Sequence, residues 1–226
     1  MNSKVSYRFL IVTALFIACL LTSNIIIAKQ IVLGPFVLPA AIIIFPLSYI
    51  ISDILTEVYG YSAARRIIWL GFVCNLIMVL AIWLAGLLPS APTFEAQSAY
   101  ERILGNTPRF LLASFIAYLA GEFANSYVLS KMKIATKGKW LWTRTIGSTI
   151  AGQGIDTIIL LTIGFIGVLP ASTLLIMILS HWFIKTAYEV LATPLTYVAV
   201  AYLKRKENLD VYDYKTNFSP VHINLN

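Results

Sequence analysis

Six apolar runs dominate this chain: 8–28, 37–58, 65–88, 109–130, 144–168 and 172–203. Each is long enough for a helix to cross a bilayer, which takes roughly 20 apolar residues. Backbone polar groups in hydrocarbon must be satisfied within the segment, so such runs fold as helices. Hydrophobic residues make up 59% of the 226, against about 45–50% in soluble domains. The predicted fold class is therefore all-α integral membrane, with six transmembrane helices over 1–203 and a polar tail over 204–226. The last run exceeds the bilayer thickness and must tilt or project. A cleaved signal peptide does not fit a first run this long with five more after it.

The links are short. "GPF" at 34–36 and "GVLP" at 167–170 read as tight turns, and Pro46 and Pro194 as kinks in their spans. In the longest link, 89–108, residues Ala96, Ala99, Tyr100, Ile103 and Leu104 keep a helical period and Gly105 supplies a stop. That pattern predicts a short amphipathic helix lying on the membrane surface. Lys4, Arg8, Arg65, Arg66, Lys131, Lys133, Lys137, Lys139, Arg144, Lys204, Arg205, Lys206 and Lys215 fall on one side if the spans alternate. Lys29, Arg102 and Arg109 fall on the other, and Lys185 lies within a span. The positive-inside rule then puts both termini in the cytoplasm. The net charge of +7 reports this loop asymmetry and contact with anionic lipid, not nucleic acid.

Charged groups at mid-membrane are costly, by about 2.5 kcal/mol or more each, and this chain has many. Span two carries Asp53 and Glu57, span four Glu122 and Asn125, span five Gln153 and Asp156. Span six carries His181, Lys185 and Glu189, while Asn24 and Asn75 lie in spans one and three. Each set is spaced i, i+3 or i, i+4 and so shares a helix face. Asp156, Lys185 and Glu122 fall near mid-span, Asp53 and Glu57 toward the cytoplasmic end, and Asn24 toward the outer end. Two readings stand side by side. Asp156 and Lys185 could simply fasten two helices, with Asp53 and Glu57 answering Arg65 and Arg66 at the boundary. Against that, buried acids outnumber the single buried lysine. The surplus suits a ligand rich in hydrogen-bond donors, a cation or a carried proton.

"GSTIAGQGID" at 147–156 places small residues where helices can approach closely, or where glycines could loosen the helix. Cys19 and Cys74 form no metal or disulfide framework. No phosphate-binding loop, H-E-x-x-H or G-x-S-x-G motif is present, and no cofactor or metal is expected. An ATP-driven motor would have to be another chain, and nothing supports an enzyme.

The segments "FPLSYIISDILTEVYGYSAARRIIWLGF" (45–72), "AYLAGEFANSYVLSKMK" (117–133), "GQGIDTIILL" (152–161), "FIKTAYEVLATPLTY" (183–197) and "DVYDYKTNFSP" (210–220) resemble the queuosine precursor transporter family, also called the vitamin uptake transporter family. "LTSN" at 21–24 fits as well. The resemblance implies a six-helix importer of the inner membrane for 7-deazaguanine bases, the 7-cyano or 7-aminomethyl precursors of queuosine. It also implies a bundle similar to the substrate-binding subunits of energy-coupling-factor importers. A 7-deazaguanine offers ring N–H and amino donors to a carboxylate, a carbonyl to a lysine or amide, and a flat face for stacking. The substrate-binding residues expected are Asn24, Asp53, Glu57, Glu122, Asn125, Gln153, Asp156, Trp182, Lys185 and Glu189. Trp182 has ordinary packing as its other reading. The expected partners are the small-molecule substrate and membrane lipid, and a homodimer is compatible with the sequence. The alternatives are a vitamin- or nucleobase-binding subunit that needs separate ATPase chains, and an assembly protein whose charges only fasten helices.

Overall fold

The computed structural model describes residues 6–33, 36–105 and 108–222. Its elements in chain order are α1 (Tyr7–Ile26), β1 (Gln30–Leu33), β2 (Phe36–Pro39), a 3-10 turn (Ala40–Ile43), α2 (Phe45–Tyr59), α3 (Tyr61–Leu87), α4 (Gln97–Leu104), α5 (Pro108–Ala135), α6 (Leu141–Phe165) and α7 (Ala171–Glu207). Among the described residues, six helical stretches are long and apolar enough to cross a membrane, close to the six expected spans. The helix expected in the longest link is present as α4, which buries none of its own residues and is tied to α3 by the Tyr100 hydroxyl, which donates to the Ile82 carbonyl at 3.1 Å. The expected turn at 167–170 is present, with Gly167 at φ +78°.

Several details differ from expectation. Gln30–Leu33 and Phe36–Pro39 form an antiparallel hairpin, where the sequence reading has a link after the first span and the opening residues of the second. Gly34 and Pro35 of the expected turn lie outside the described residues, as does Lys4. Pro46 sits in the first turn of α2, where its missing N–H costs nothing, and does not kink a span. Pro194 does lie inside α7, which runs unbroken to Glu207.

The central helix is α2. In its most apolar stretch 67% of residues are buried, against 22% in α1 and α3 and 11% in α7. Its sequence requires this position. Ser48, Ser52 and Thr56 recur every fourth residue beside Asp53 and Glu57, and all five are buried. Lipid would leave them without partners, so other helices must supply them. The polar stripe of α5 does so: Ser52 donates to Glu122 at 2.6 Å, Thr56 to Ser126 at 3.1 Å, and Asn125 to Asp53 at 2.6 Å.

Helices α5 and α6 make the closest helix pair, through glycine. A Cβ on Gly121 would stand 3.0 Å from the Gly152 carbonyl oxygen, and one on Gly152 would stand 2.8 Å from that of Gly121. The "GSTIAGQGID" glycines therefore serve close packing. They do not loosen α6, which is continuous across them.

At the end of the bundle shared by Tyr7 and Glu207, here the basic end, Glu57 anchors an ion cluster. Arg144 grips both of its carboxylate oxygens, at 2.8 and 2.9 Å, and Lys204 reaches one at 2.6 Å. Lys133 lies 3.6 Å away and also pairs with Asp210 at 2.6 Å. The anticipated pairing of Asp53 and Glu57 with Arg65 and Arg66 does not form. Arg65 instead donates to the carbonyls of Asn217 and Ser219, at 2.7 and 2.9 Å.

The tail folds back over this end. Asp213 accepts from the Tyr61 N–H at 3.0 Å, at the N-terminus of α3, where a carboxylate is favoured. Phe218 packs against Tyr61 and Tyr127, with Lys131 over its face at 4.1 Å. Gly60, the sole link between α2 and α3, has φ +83° and ψ 168°, a region essentially reserved for glycine. A Cβ there would also stand 2.6 Å from Val211 in the tail.

Removing one partner of a buried ion pair typically costs about 3–5 kcal/mol, because the other charge is stranded. Glu57→Gln strands Arg144 and should lower the thermal midpoint of the purified protein sharply. Adding Arg144→Met should recover part of the loss. Unchanged melting of the single variant would show that the cluster does not fasten this end.

Candidate functional site

A cavity of about 860 Å³ lies at the opposite end, here the hairpin end. Small-molecule sites typically occupy roughly 300–1,000 Å³. Its wall is built from α1, α2, α3, α5, α6 and α7, and Gln30, Leu38 and Pro39 of the hairpin border it. Asp156 and Lys185 line it where α6 faces α7. Lys185 Nζ donates to Asp156 Oδ2 at 2.7 Å and to Thr157 Oγ1 at 3.3 Å, and it stands 4.7 Å from the centre of the Phe45 ring. A carboxylate, an ammonium and an aromatic face thus meet within one small region. On the α1–α3 side, Asn24 donates to Asn75 Oδ1 at 3.1 Å, and both side chains line the cavity. An adjoining space of about 240 Å³ shares Asn24, Asn75, Phe110 and Ser114 with it and extends toward α4.

Of the ten residues expected to bind substrate, Asn24, Asp156 and Lys185 line this cavity. Glu122, Asn125, Gln153, Asp53 and Glu189 are buried on the helices around it without lining it, with at most 1% of their surface exposed. Glu57 belongs to the ion cluster at the basic end. Trp182 stands outside the cavity: its indole N–H donates to the Ile150 carbonyl at 2.9 Å, and its ring covers Gly154, in keeping with the packing reading. His181 does line the cavity.

Sequence reasoning missed the aromatic wall and the outer basic group. Phe45, Phe110 and Phe165 line the cavity, the last two edge to face at 5.9 Å. Arg109 lines it too, bonded to the carbonyls of Ile163 and Ile166 at the end of α6. Phenylalanine in an apolar run carries no signal of its own. Phe45 does open the quoted "FPLS" segment, which was the one available cue.

The buried polar groups differ in how well they are matched. Asp156 has Lys185, and Glu57 has three cations. Among the described residues, no ion pair reaches Asp53, Glu122 or Glu189. Glu122 Oε1, Glu189 Oε1, Asn125 Oδ1 and Gln153 Oε1 also lack a hydrogen-bond partner among the described residues. Such orphan acceptors are rare in a folded interior.

Comparison with known proteins matches residues 39–199 to a family described as "Putative vitamin uptake transporter". The chain is similar to a Bacillus subtilis (strain 168) protein named "Probable queuosine precursor transporter", at 34% identity over 66% of this chain and 65% of that one. It is also similar to the "Queuosine precursor transporter" of Escherichia coli (strain K12), at 26% identity over 54% of this chain and 52% of that one. The matched stretches thus span less than two thirds of either relative. No solved structure matches the chain significantly. The match over 39–199 takes in α2, α3, α5 and α6 and most of α7, the helices that carry Asp156 and Lys185, and on it the chain belongs to the vitamin uptake transporter family.

Proposed function

We propose that this chain imports a queuosine precursor, a 7-deazaguanine base, and binds it in the cavity at the hairpin end. The observation that carries this reading is the meeting of Asp156, Lys185 and Phe45 at the cavity wall. Asp156 keeps acceptor capacity beyond its bond to Lys185, because a carboxylate offers about four lone-pair sites. It accepts the ring N–H and amino group of the base. Lys185 and the Asn24–Asn75 pair address the carbonyl, and Phe45 offers a face for stacking. The names carried by the two relatives support the same substrate class.

The direction follows from charge. The basic end holds most of the lysines and arginines, and the positive-inside rule supports a cytoplasmic position for both termini. The cavity then faces the outside of the inner membrane, and the ion cluster and folded-back tail close the cytoplasmic side. In this state the base enters from outside and release requires the basic end to open.

Two experiments test the reading. Expressed alone in cells that lack both precursor synthesis and any energy-coupling motor, the chain should support uptake of labelled 7-cyano-7-deazaguanine. Uptake only when motor chains are supplied would favour the binding-subunit alternative. Asp156→Asn should abolish uptake, and Asp156→Asn with Lys185→Met should remain inactive while folded and inserted. Substantial rescue in that double variant would reduce Asp156 to a partner for Lys185 and remove its contact with the substrate.

A further inference from the structure

The acids away from the cavity have no role in binding as drawn above. Asp53 on α2, Glu122 on α5 and Glu189 on α7 are buried, with 0, 0 and 1% of their surface exposed. Their hydrogen-bond donors are neutral: Ser52 on Glu122 at 2.6 Å, and Asn125 and Ser148 on Asp53 at 2.6 and 3.2 Å. Asp53 lies within electrostatic reach of both Glu189 and Glu122, and Glu122 within reach of Asp156. Lys185, one turn before Glu189 on α7, is held by Asp156 and Thr157. The three cations at the basic end are held by Glu57, two of them shared with Asp210.

Around these acids, among the described residues, four unpartnered oxygen acceptors stand against the unpartnered hydroxyls of Tyr49 and Thr149, the latter beside Glu189. The orphan oxygens of Glu122, Glu189, Asn125 and Gln153 come from three helices. Tyr49 on α2 adds a fully buried hydroxyl with no partner among the described residues, within electrostatic reach of Asp156, Glu122, Tyr118 and Asp53. Tyr118, one turn before Glu122, donates to the Ile68 carbonyl at 3.0 Å, lines the cavity and has Cys74 of α3 nearby. Among the described residues, no group of three or more His, Cys, Asp or Glu side chains is placed to hold a metal ion. A proton accounts for both features at once. It removes a charge that burial and neighbouring carboxylates disfavour, and it turns an orphan acceptor into a donor.

We propose that Glu122, with Asp53 and Glu189 as its neighbouring acceptors, binds the proton that drives transport. The inference rests on the transporter reading and extends it to the energy source. Asp156, which lines the cavity and interacts with Glu122, is the point at which substrate and proton sites communicate. With the cavity facing outward, the proton loads from outside. The substrate's own donors engage Asp156, and the two are carried together. Release to the cytoplasm follows when the basic end opens and the acids meet water.

The test uses the full chain in sodium-free proteoliposomes, with labelled 7-cyano-7-deazaguanine and the membrane potential clamped. Wild type should exchange labelled for unlabelled base without a gradient. It should also concentrate the label when the outside is acidic, up to about tenfold per pH unit for one proton. Glu122→Gln, which keeps shape, should exchange at a rate comparable to wild type yet fail to concentrate. Glu189→Gln and Asp53→Asn serve as further variants should the first misfold, and a pH dye inside the wild-type vesicles reports proton entry directly. Exchange without any response to the pH gradient, or concentration driven by sodium instead, overturns the proposal. A folded Glu122→Gln that no longer exchanges would assign Glu122 to the substrate and overturn it equally. A wild type that does not exchange at all removes the transport reading, and this inference with it.

Discussion

Glu57 meets Arg144 through both carboxylate oxygens, and neither side chain is exposed. An ion pair of this kind forms only if α2 and α6 are held in one register, because the fork of a guanidinium fixes distance and angle together. Lys133 adds α5 and Lys204 adds α7 to the same anion. One carboxylate therefore ties four helices at the basic end. The rest of the bundle can be looser, and the cavity lies where these ties are absent. Asp210 and Asp213 attach the tail to the same end, so the segment after α7 belongs to the closure.

The buried acids form a graded series along α2, α5, α6 and α7. Glu57 is saturated with cations, Asp156 shares one lysine, and the three remaining acids meet only neutral donors. The gradation matters more than the count. A fully neutralised carboxylate fastens helices, and a half-neutralised one at a cavity wall retains lone pairs for a ligand. An acid with neutral donors alone is where a proton or ligand gains most by binding, because desolvation penalises the bare charge. Helix packing sets the depths. Gly121 and Gly152 bring α5 against α6 so closely that a Cβ on Gly121, the residue before Glu122, would meet the Asp156 side chain.

Much of the architecture was legible in the sequence. Six apolar runs forced six helices, and polar spacing at i, i+3 and i, i+4 marked the faces that turn inward. Asp156 and Lys185, one of two readings the sequence leaves open for these groups, do pair across α6 and α7. What the sequence hid were relations between helices. Nothing local in Glu57 says that it meets Arg144, 87 positions later, and not Arg65, only a turn and a glycine away. The hairpin was hidden because apolar strand residues look like the start of a span. The tail looked like a solvated appendage because its anchors are spread over eleven positions: Asp210, Val211, Asp213, Asn217, Phe218, Ser219 and Pro220 all meet the bundle. Those contacts give a physical reason for the pattern "DVYDYKTNFSP", which composition alone reads as polar coil.

The central claim is that the cavity at the hairpin end recognises the donor edge of a guanine-like base through Asp156. Equilibrium titration of the purified protein with a 7-deazaguanine and with its des-amino analogue, at equal ionic strength, tests it most directly. A buried site built to pair a donor rejects an analogue lacking that donor by large factors, because its own acceptor is left unpaired. The account predicts saturable binding of the amino-bearing base and a loss of about 100-fold or more for the analogue. Equal affinity for the two would contradict recognition of that edge.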